Sequence, residues 1–141
     1  MEAAIVHVVD DDASFLRAVS RLLRASGFTV ETYLSAAEFL ARPLPDEPGC
    51  IVSDLNMPGK SGLELQRALS GRGHALPMIF LTGVGDIPST VSALRGGAVD
   101  FLEKRAPKEK LLEAVSRALA QAQHACSERA KRRELKSRFS E

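Results

Sequence analysis

Residues 6–12 read VHVVDDD. A short, almost unbroken apolar run ends there in three carboxylates. Continuous apolar runs of this length suit a central parallel strand covered on both faces. The pattern returns at Cys50–Asp54 (CIVSD), Met78–Thr82 (MIFLT) and Phe101–Lys104 (FLEK), each time with polar residues at the carboxyl end. In an open parallel sheet those ends lie on one rim, so Asp10, Asp11, Asp54, Thr82 and Lys104 are expected to converge.

Helical patterns fill the gaps. Phe15, Leu16, Val19, Leu22 and Leu23 follow helical spacing after Asp12, a suitable N-cap, and stop at Gly27. Thr29–Tyr33 is the second predicted strand. Ser35–Glu38 and Ser61–Glu64 are capping boxes that open two further helices. Asn56-Met-Pro-Gly is a turn, and Pro43, Pro45, Pro48 and Gly49 mark a loop. A fourth helix is expected from near Asp86–Pro88, carrying Val91 and Leu94 and stopped by Gly96–Gly97. Ala98–Leu102 is then the fifth strand. Strand and helix alternate five times, which predicts a doubly wound α/β domain with right-handed crossovers.

No Gly or Pro interrupts residues 108–139. As one helix this stretch is roughly 50 Å long. Leu112, Val115, Leu119, Ala122 and Cys126 alternate in steps of three and four, like a coiled-coil seam, which breaks at Arg129 and Arg133. Self-association, packing of the first half on the sheet, and a monomeric extension all remain open.

The 141 residues carry a net charge of +1, unevenly spread. Residues 1–106 hold 10 Lys/Arg against 13 Asp/Glu, and residues 107–141 hold 9 against 5. The basic stretch RAKRRELKSR at 129–138 reads either as the solvated face of a helix or as a nucleic-acid contact. No apolar run reaches membrane-spanning length and no secretion signal opens the chain, so a cytoplasmic protein without a membrane partner is expected. Cys50 and Cys126 form neither a disulfide framework nor a metal motif, and His7, His74 and His124 have no ligand spacing.

A rim with three carboxylates, one hydroxyl and one ammonium suits a divalent cation and a phosphoryl group. Each residue also has a plainer role. The Asp10–Asp12 run can cap a helix, Asp54 can belong to a turn, Lys104 can be a solvated side chain and Thr82 a strand-end hydroxyl.

On the motifs VHVVDDD (6–12), SDLNMPGKSGLEL (53–65), FLTGVGDIPSTVSALRGGAVDFLEK (80–104) and LLEAV (111–115), the chain resembles the receiver domain of bacterial two-component response regulators. It is most similar to the FixJ/NarL-like branch, whose members join a receiver to a helix-turn-helix DNA-binding domain. The resemblance implies a flavodoxin-like (CheY-like) five-stranded parallel sheet of order 2-1-3-4-5. It implies a receiver at residues 1–122 and a helical linker extension at 123–141, with the DNA-binding domain absent from this chain. Asp54 then matches the phosphoacceptor, used by a sensor histidine kinase. Asp10, Asp11, Asp54 and the backbone carbonyl of Asn56 match the ligands of Mg²⁺ (or Mn²⁺). Thr82 and Lys104 match the residues that contact the phosphoryl group, and Thr82 and Phe101 match the switch pair. The same resemblance implies no classical enzyme activity, only autophosphorylation from a phosphodonor and autodephosphorylation. It implies phosphorylation-dependent dimerisation through the fourth helix, fifth strand and fifth helix, or through the long last helix. The alternative is a single-domain receiver acting by phosphorelay or protein binding.

Two competing chemistries lack their residues. Asn56 stands where a dehalogenase-type phosphatase has a second Asp, and a flavin-phosphate loop rich in Gly, Ser and Thr is missing after the first strand. One departure from the receiver pattern is Arg105, where Lys-Pro is usual and its bond is cis. A cis bond before a non-proline residue costs ~3–4 kcal/mol, so a trans Lys104–Arg105 bond is predicted. Val84 leaves no polar group two residues beyond Thr82.

Overall fold

The computed structural model describes residues 4–43, 48–55, 57, 59–71, 76–83 and 87–139, without the side chains of 87–90 and 125–139. Its strands are β1 (Ile5–Val9), β2 (Thr29–Tyr33), β3 (Gly49–Asp54), β4 (Met78–Thr82) and β5 (Asp100–Glu103). Its helices are α1 (Ala13–Ala25), α2 (Ala36–Leu40), α3 (Gly62–Gly71), α4 (Ile87–Arg95) and α5 (Lys108–Phe139). The strands form one sheet in the order β2-β1-β3-β4-β5, and every described pairing is parallel.

The two-residue period of a strand sorts the core into two layers. Val6, Val8, Cys50, Val52, Ile79 and Leu81 face one layer, closed by Leu16, Val19 and Leu23 of α1 and by Leu111, Ala114, Val115 and Ala118 of α5. Val9, Ile51, Met78 and Phe80 face the other, closed by Phe39 of α2, Leu65 and Leu69 of α3 and Ala93 of α4. Burying each large aliphatic or aromatic side chain contributes about 1.5–3 kcal/mol, so these layers hold the strands in register.

The predicted caps form. Asp12 accepts from the amides of Ser14 and Phe15 at 3.0 and 3.3 Å, and Ser35 and Ser61 accept from those of Glu38 and Glu64 at 3.0 and 3.2 Å. At the end of α1, Gly27 takes φ +94°, and the amide of Phe28 donates back to the carbonyl of Leu23.

One expectation needs correction, and the buried faces of two helices are now defined. The fifth strand starts at Asp100, not Ala98, because Gly97 (φ +96°) ends α4 with the Ala98 amide still bonded to the Ala93 carbonyl. Val91 and Leu94 do not pack inward. They are 41% and 49% exposed, while Ala93 is buried and its carbonyl accepts from Gln66 Nε2 at 3.0 Å. On α5 the buried stripe is Leu111, Ala114, Val115, Ala118 and Ala122, so Leu112 and Leu119 of the expected seam only flank it. The first half of α5 therefore packs on the sheet. Asn56, His74 and Val84, and the side chains of Cys126, Arg129 and Arg133, lie outside the described residues.

Two buried acids make the fold sensitive to alkali. Burial pushes the Cys50 thiol from 9.0 up to about 12. Burial, followed by the hydrogen bond to Glu31, pushes the Tyr33 phenol from 10.0 up to about 12. As pH rises above 9.0 and then 10.0, the unfolded chain releases these protons and the folded chain keeps them. Stability is therefore complete below those values and falls by about 1.4 kcal/mol per pH unit for each group engaged. Urea unfolding between about pH 8 and pH 11 should show a falling midpoint, with a shallower fall in Cys50→Ala. Equal slopes in the two proteins would dismiss the thiol's share.

Candidate functional site

Parity decides which rim residues meet. Val6, Val8 and Asp10 alternate on one side of the first strand's line, as do Cys50, Val52 and Asp54 on the third, and Leu102 and Lys104 on the fifth. The apolar members of these rows face the α1/α5 layer. Thr82 shares the parity of Met78 and Phe80 and approaches from the other layer.

Asp10, Asp11 and Asp54 each place a carboxylate oxygen within 4.8 Å of the others. Asp10 is 1% exposed and Asp54 6%, whereas Asp11 opens to solvent. Asp10 is fixed at both ends. Its amide donates to the Tyr33 carbonyl at 3.1 Å, and its Oδ1 accepts from the amide of Asp12 at 2.9 Å. Asp12 itself caps α1, so the acidic run divides into two site residues and one cap.

Behind Asp54, the Ser53 hydroxyl donates to the Asp54 carbonyl at 3.0 Å and the Leu55 amide to the Leu81 carbonyl at 2.9 Å. The first residue of α3 must be small. A Cβ on Gly62 would sit 2.6 Å from the Asp54 carbonyl oxygen and 2.9 Å from the Phe80 ring.

Lys104 supplies the cation. Its Nζ lies 2.8 Å from Asp10 Oδ2 and 3.6 Å from Asp54 Oδ2. Its amide donates to the Thr82 carbonyl at 2.7 Å, which ties the end of β4 to the turn after β5. That turn contains no cis peptide bond, nor does any other described residue. Burial alone would lower the lysine's pKa. The hydrogen bond to Asp10 and the charges of Asp10, Asp54 and Asp11 outweigh it, and the net shift is upward from 10.5. The lysine's contribution to stability is therefore whole below that value and is lost as pH climbs beyond it.

Thr82 is fully buried at the end of β4. Phe101 is half-buried, with its ring 6.4 Å from that of Phe80. Asp10, Asp11, Asp54 and Lys104 thus form one cluster, with Thr82 joined through its backbone and Phe101 one strand away. Sequence reading missed Phe15, whose ring centroid lies 4.4 Å from Lys104 Nζ. Helical spacing marked it only as a core position.

With one ammonium against three carboxylates, the pocket keeps a formal excess of negative charge. It offers hard oxygen donors from three carboxylates within 4.8 Å of one another, the donor type that Mg²⁺ takes. The acidic pocket can therefore bind a divalent metal.

A fold of this order, with an acidic pocket and a lysine on its carboxyl rim, defines the class of phosphoacceptor signalling domains. The family model for the response regulator receiver domain matches residues 6–116, and the chain belongs to that family. It is 47% identical over 112 residues to nodulation protein W of Bradyrhizobium diazoefficiens, covering 79% of this chain and 49% of that one. It is 43% identical over 121 residues to the transcriptional regulatory protein FixJ of Azorhizobium caulinodans, covering 86% and 57%. Among solved structures, the response regulator StyR superposes with a TM-score of 0.93 at 40% identity, over 98% of this chain and 70% of that one. The chain thus spans about half the length of the two curated relatives. Receiver domains accept a phosphoryl group in two-component systems and interact with histidine kinases; they are not classical enzymes. Among the described residues, no helix is long and apolar enough to cross a membrane.

Proposed function

We propose that Asp54 is the phosphoacceptor of a cytoplasmic two-component regulator, labelled by a sensor histidine kinase in the presence of Mg²⁺ (or Mn²⁺). The observation that carries this reading is the placement of one ammonium against two buried carboxylates beside an exposed third. Asp10, Asp11 and Asp54 would hold the metal, which would supply charge neutralisation between the anionic donor and the acceptor. The family's remaining ligand, the Asn56 carbonyl, lies outside the described residues.

An Asp54 carboxylate oxygen attacks phosphorus, an acyl phosphate bond forms, and the bond from phosphorus to the donor's leaving atom breaks. Lys104 moves from its carboxylate partners toward the phosphoryl oxygens, and the Thr82 hydroxyl donates a hydrogen bond to one of them. Positioning and electrostatics account for most of catalysis in such transfers.

Thr82 and Phe101 form the switch. As Thr82 is drawn to the phosphoryl group, the half-buried Phe101 ring turns inward beside Phe80. The α4–β5–α5 surface then changes and pairs with a second copy, a reading favoured by the exposed Val91 and Leu94 on α4. Residues 1–122 are the receiver, and 123–141 are a linker that passes the change to a helix-turn-helix domain controlling transcription.

Acetyl phosphate with Mg²⁺ should add one phosphoryl group by intact mass, mapped to Asp54, and raise the dimer fraction in light scattering. EDTA should stop both. Labelling that maps elsewhere, or proceeds equally in EDTA, refutes the assignment.

A further inference from the structure

Lys104 is anchored at its backbone, and its stem borders an open groove. Its amide is held by the Thr82 carbonyl, and the turn behind it is closed by the Ala106 amide donating to the Glu103 carbonyl at 3.0 Å. Arg105 points into solvent. Beside the stem lies a cavity of about 180 Å³ between α1 and α5, lined by Phe15, Leu22, Leu102, Ala106 and Leu111 and largely apolar. A flexible four-carbon chain beside such a space can leave its carboxylates and swing aside. One group in the lining opposes this. The Phe15 ring, in the first turn of α1, stands 4.4 Å from Nζ, within the range in which a ring face attracts an ammonium.

We propose that Phe15 is a positioning residue for phosphoryl transfer, its ring keeping the Lys104 ammonium over the acidic pocket, within reach of the phosphoryl oxygens, and out of the neighbouring groove. The proposal rests on the reading of Asp54 as acceptor and Lys104 as its cation. Phe15 reaches no reacting atom, and it acts through the lysine alone. A ring face is required because an aliphatic side chain of similar size fills the same space without attracting the charge.

The test measures initial labelling rates of the whole chain with acetyl phosphate and Mg²⁺. Phe15→Leu is expected to label about three- to tenfold more slowly, and Phe15→Tyr to keep the wild-type rate. In a Lys104→Met background, Phe15→Leu should cause no further loss. Wild-type speed in Phe15→Leu, an equal loss in Phe15→Tyr, or an undiminished loss without the lysine each overturns the proposal. A separate arm does not depend on phosphorylation. The Lys104 ε-methylene protons should show an upfield ring-current shift in wild type that disappears in Phe15→Leu, and its absence in wild type overturns the placement. Failure of wild type to label at Asp54 counts instead against the acceptor reading.

Discussion

Asp54→Asn should take up no phosphoryl group from acetyl phosphate, and its dimer fraction should not respond to the donor. An amide oxygen keeps the shape of the side chain but is no nucleophile toward phosphorus, and it brings one charge fewer to the acidic pocket. The variant also separates chemistry from folding. Asp54 is 6% exposed and lies within 4.8 Å of two other carboxylates, so removing its charge relieves repulsion when no metal is bound. Its unfolding free energy from urea titration in EDTA should equal or exceed that of wild type, by up to ~1 kcal/mol. Loss of labelling with undiminished stability is the expected pair of results. Phosphate-dependent dimerisation that survives in Asp54→Asn would mean that the signal enters elsewhere. The coupling also has a size. Moving a two-state surface from about 1:99 to 99:1 needs roughly 5.5 kcal/mol of differential stabilisation. A smaller response of the dimer fraction reports a smaller difference in how the two states hold the phosphoryl group.

The strands were legible because a buried parallel strand leaves little freedom of composition. Ile5–Val9 and Met78–Thr82 stand where the apolar runs place them, and the edge strand Thr29–Tyr33 shows only Val30 and Tyr33 to the core. The convergence of Asp10, Asp54 and Lys104 follows from those strands ending on one rim with matching parity, and Asp11 joins them from the turn just past β1. Helix faces were harder to read. On α4 the interior position is Ala93, since a small residue lets α3 approach closely, and apolar periodicity points to the larger Val91 and Leu94 instead. On α5 three alanines among the buried residues hide the true stripe, which lies one position away from the leucines that suggested a seam. Glycine-rich exits also move boundaries. The turn at Gly97 absorbs Ala98 and delays β5 by two residues. Phe15 was invisible as a partner of Lys104 because the two are 89 positions apart and nothing in the spacing joins them.

Lys104→Met should weaken the metal-free domain as well as its chemistry, and the two losses should answer differently to magnesium. The ammonium pairs with both Asp10 and Asp54, and Asp10 is 1% exposed. Methionine keeps much of the apolar stem, so the change isolates the charge. Removing one partner of a buried ion pair costs about 3–5 kcal/mol, because the other charge stays buried without compensation. Here the lower end, ~3 kcal/mol, is expected in EDTA, since the exposed Asp11 side of the cluster lets water in. A divalent cation brings back positive charge at the same carboxylates and no longer competes with the ammonium for Asp10. Lys104→Met should therefore gain more stability from Mg²⁺ than wild type does, with half the effect reached at a lower concentration. Labelling should not recover in step. The lysine's proposed second role, pairing with the phosphoryl oxygens during transfer, belongs to a position the metal would not fill, and a loss on the order of a hundredfold is expected to persist at saturating Mg²⁺. Urea titrations across a magnesium series, run beside labelling rates on the same samples, distinguish the two roles. Equal midpoints for Lys104→Met and wild type in EDTA would make the 2.8 Å pair energetically silent. Full recovery of labelling by metal alone would reduce the lysine to a place-holder for the cation.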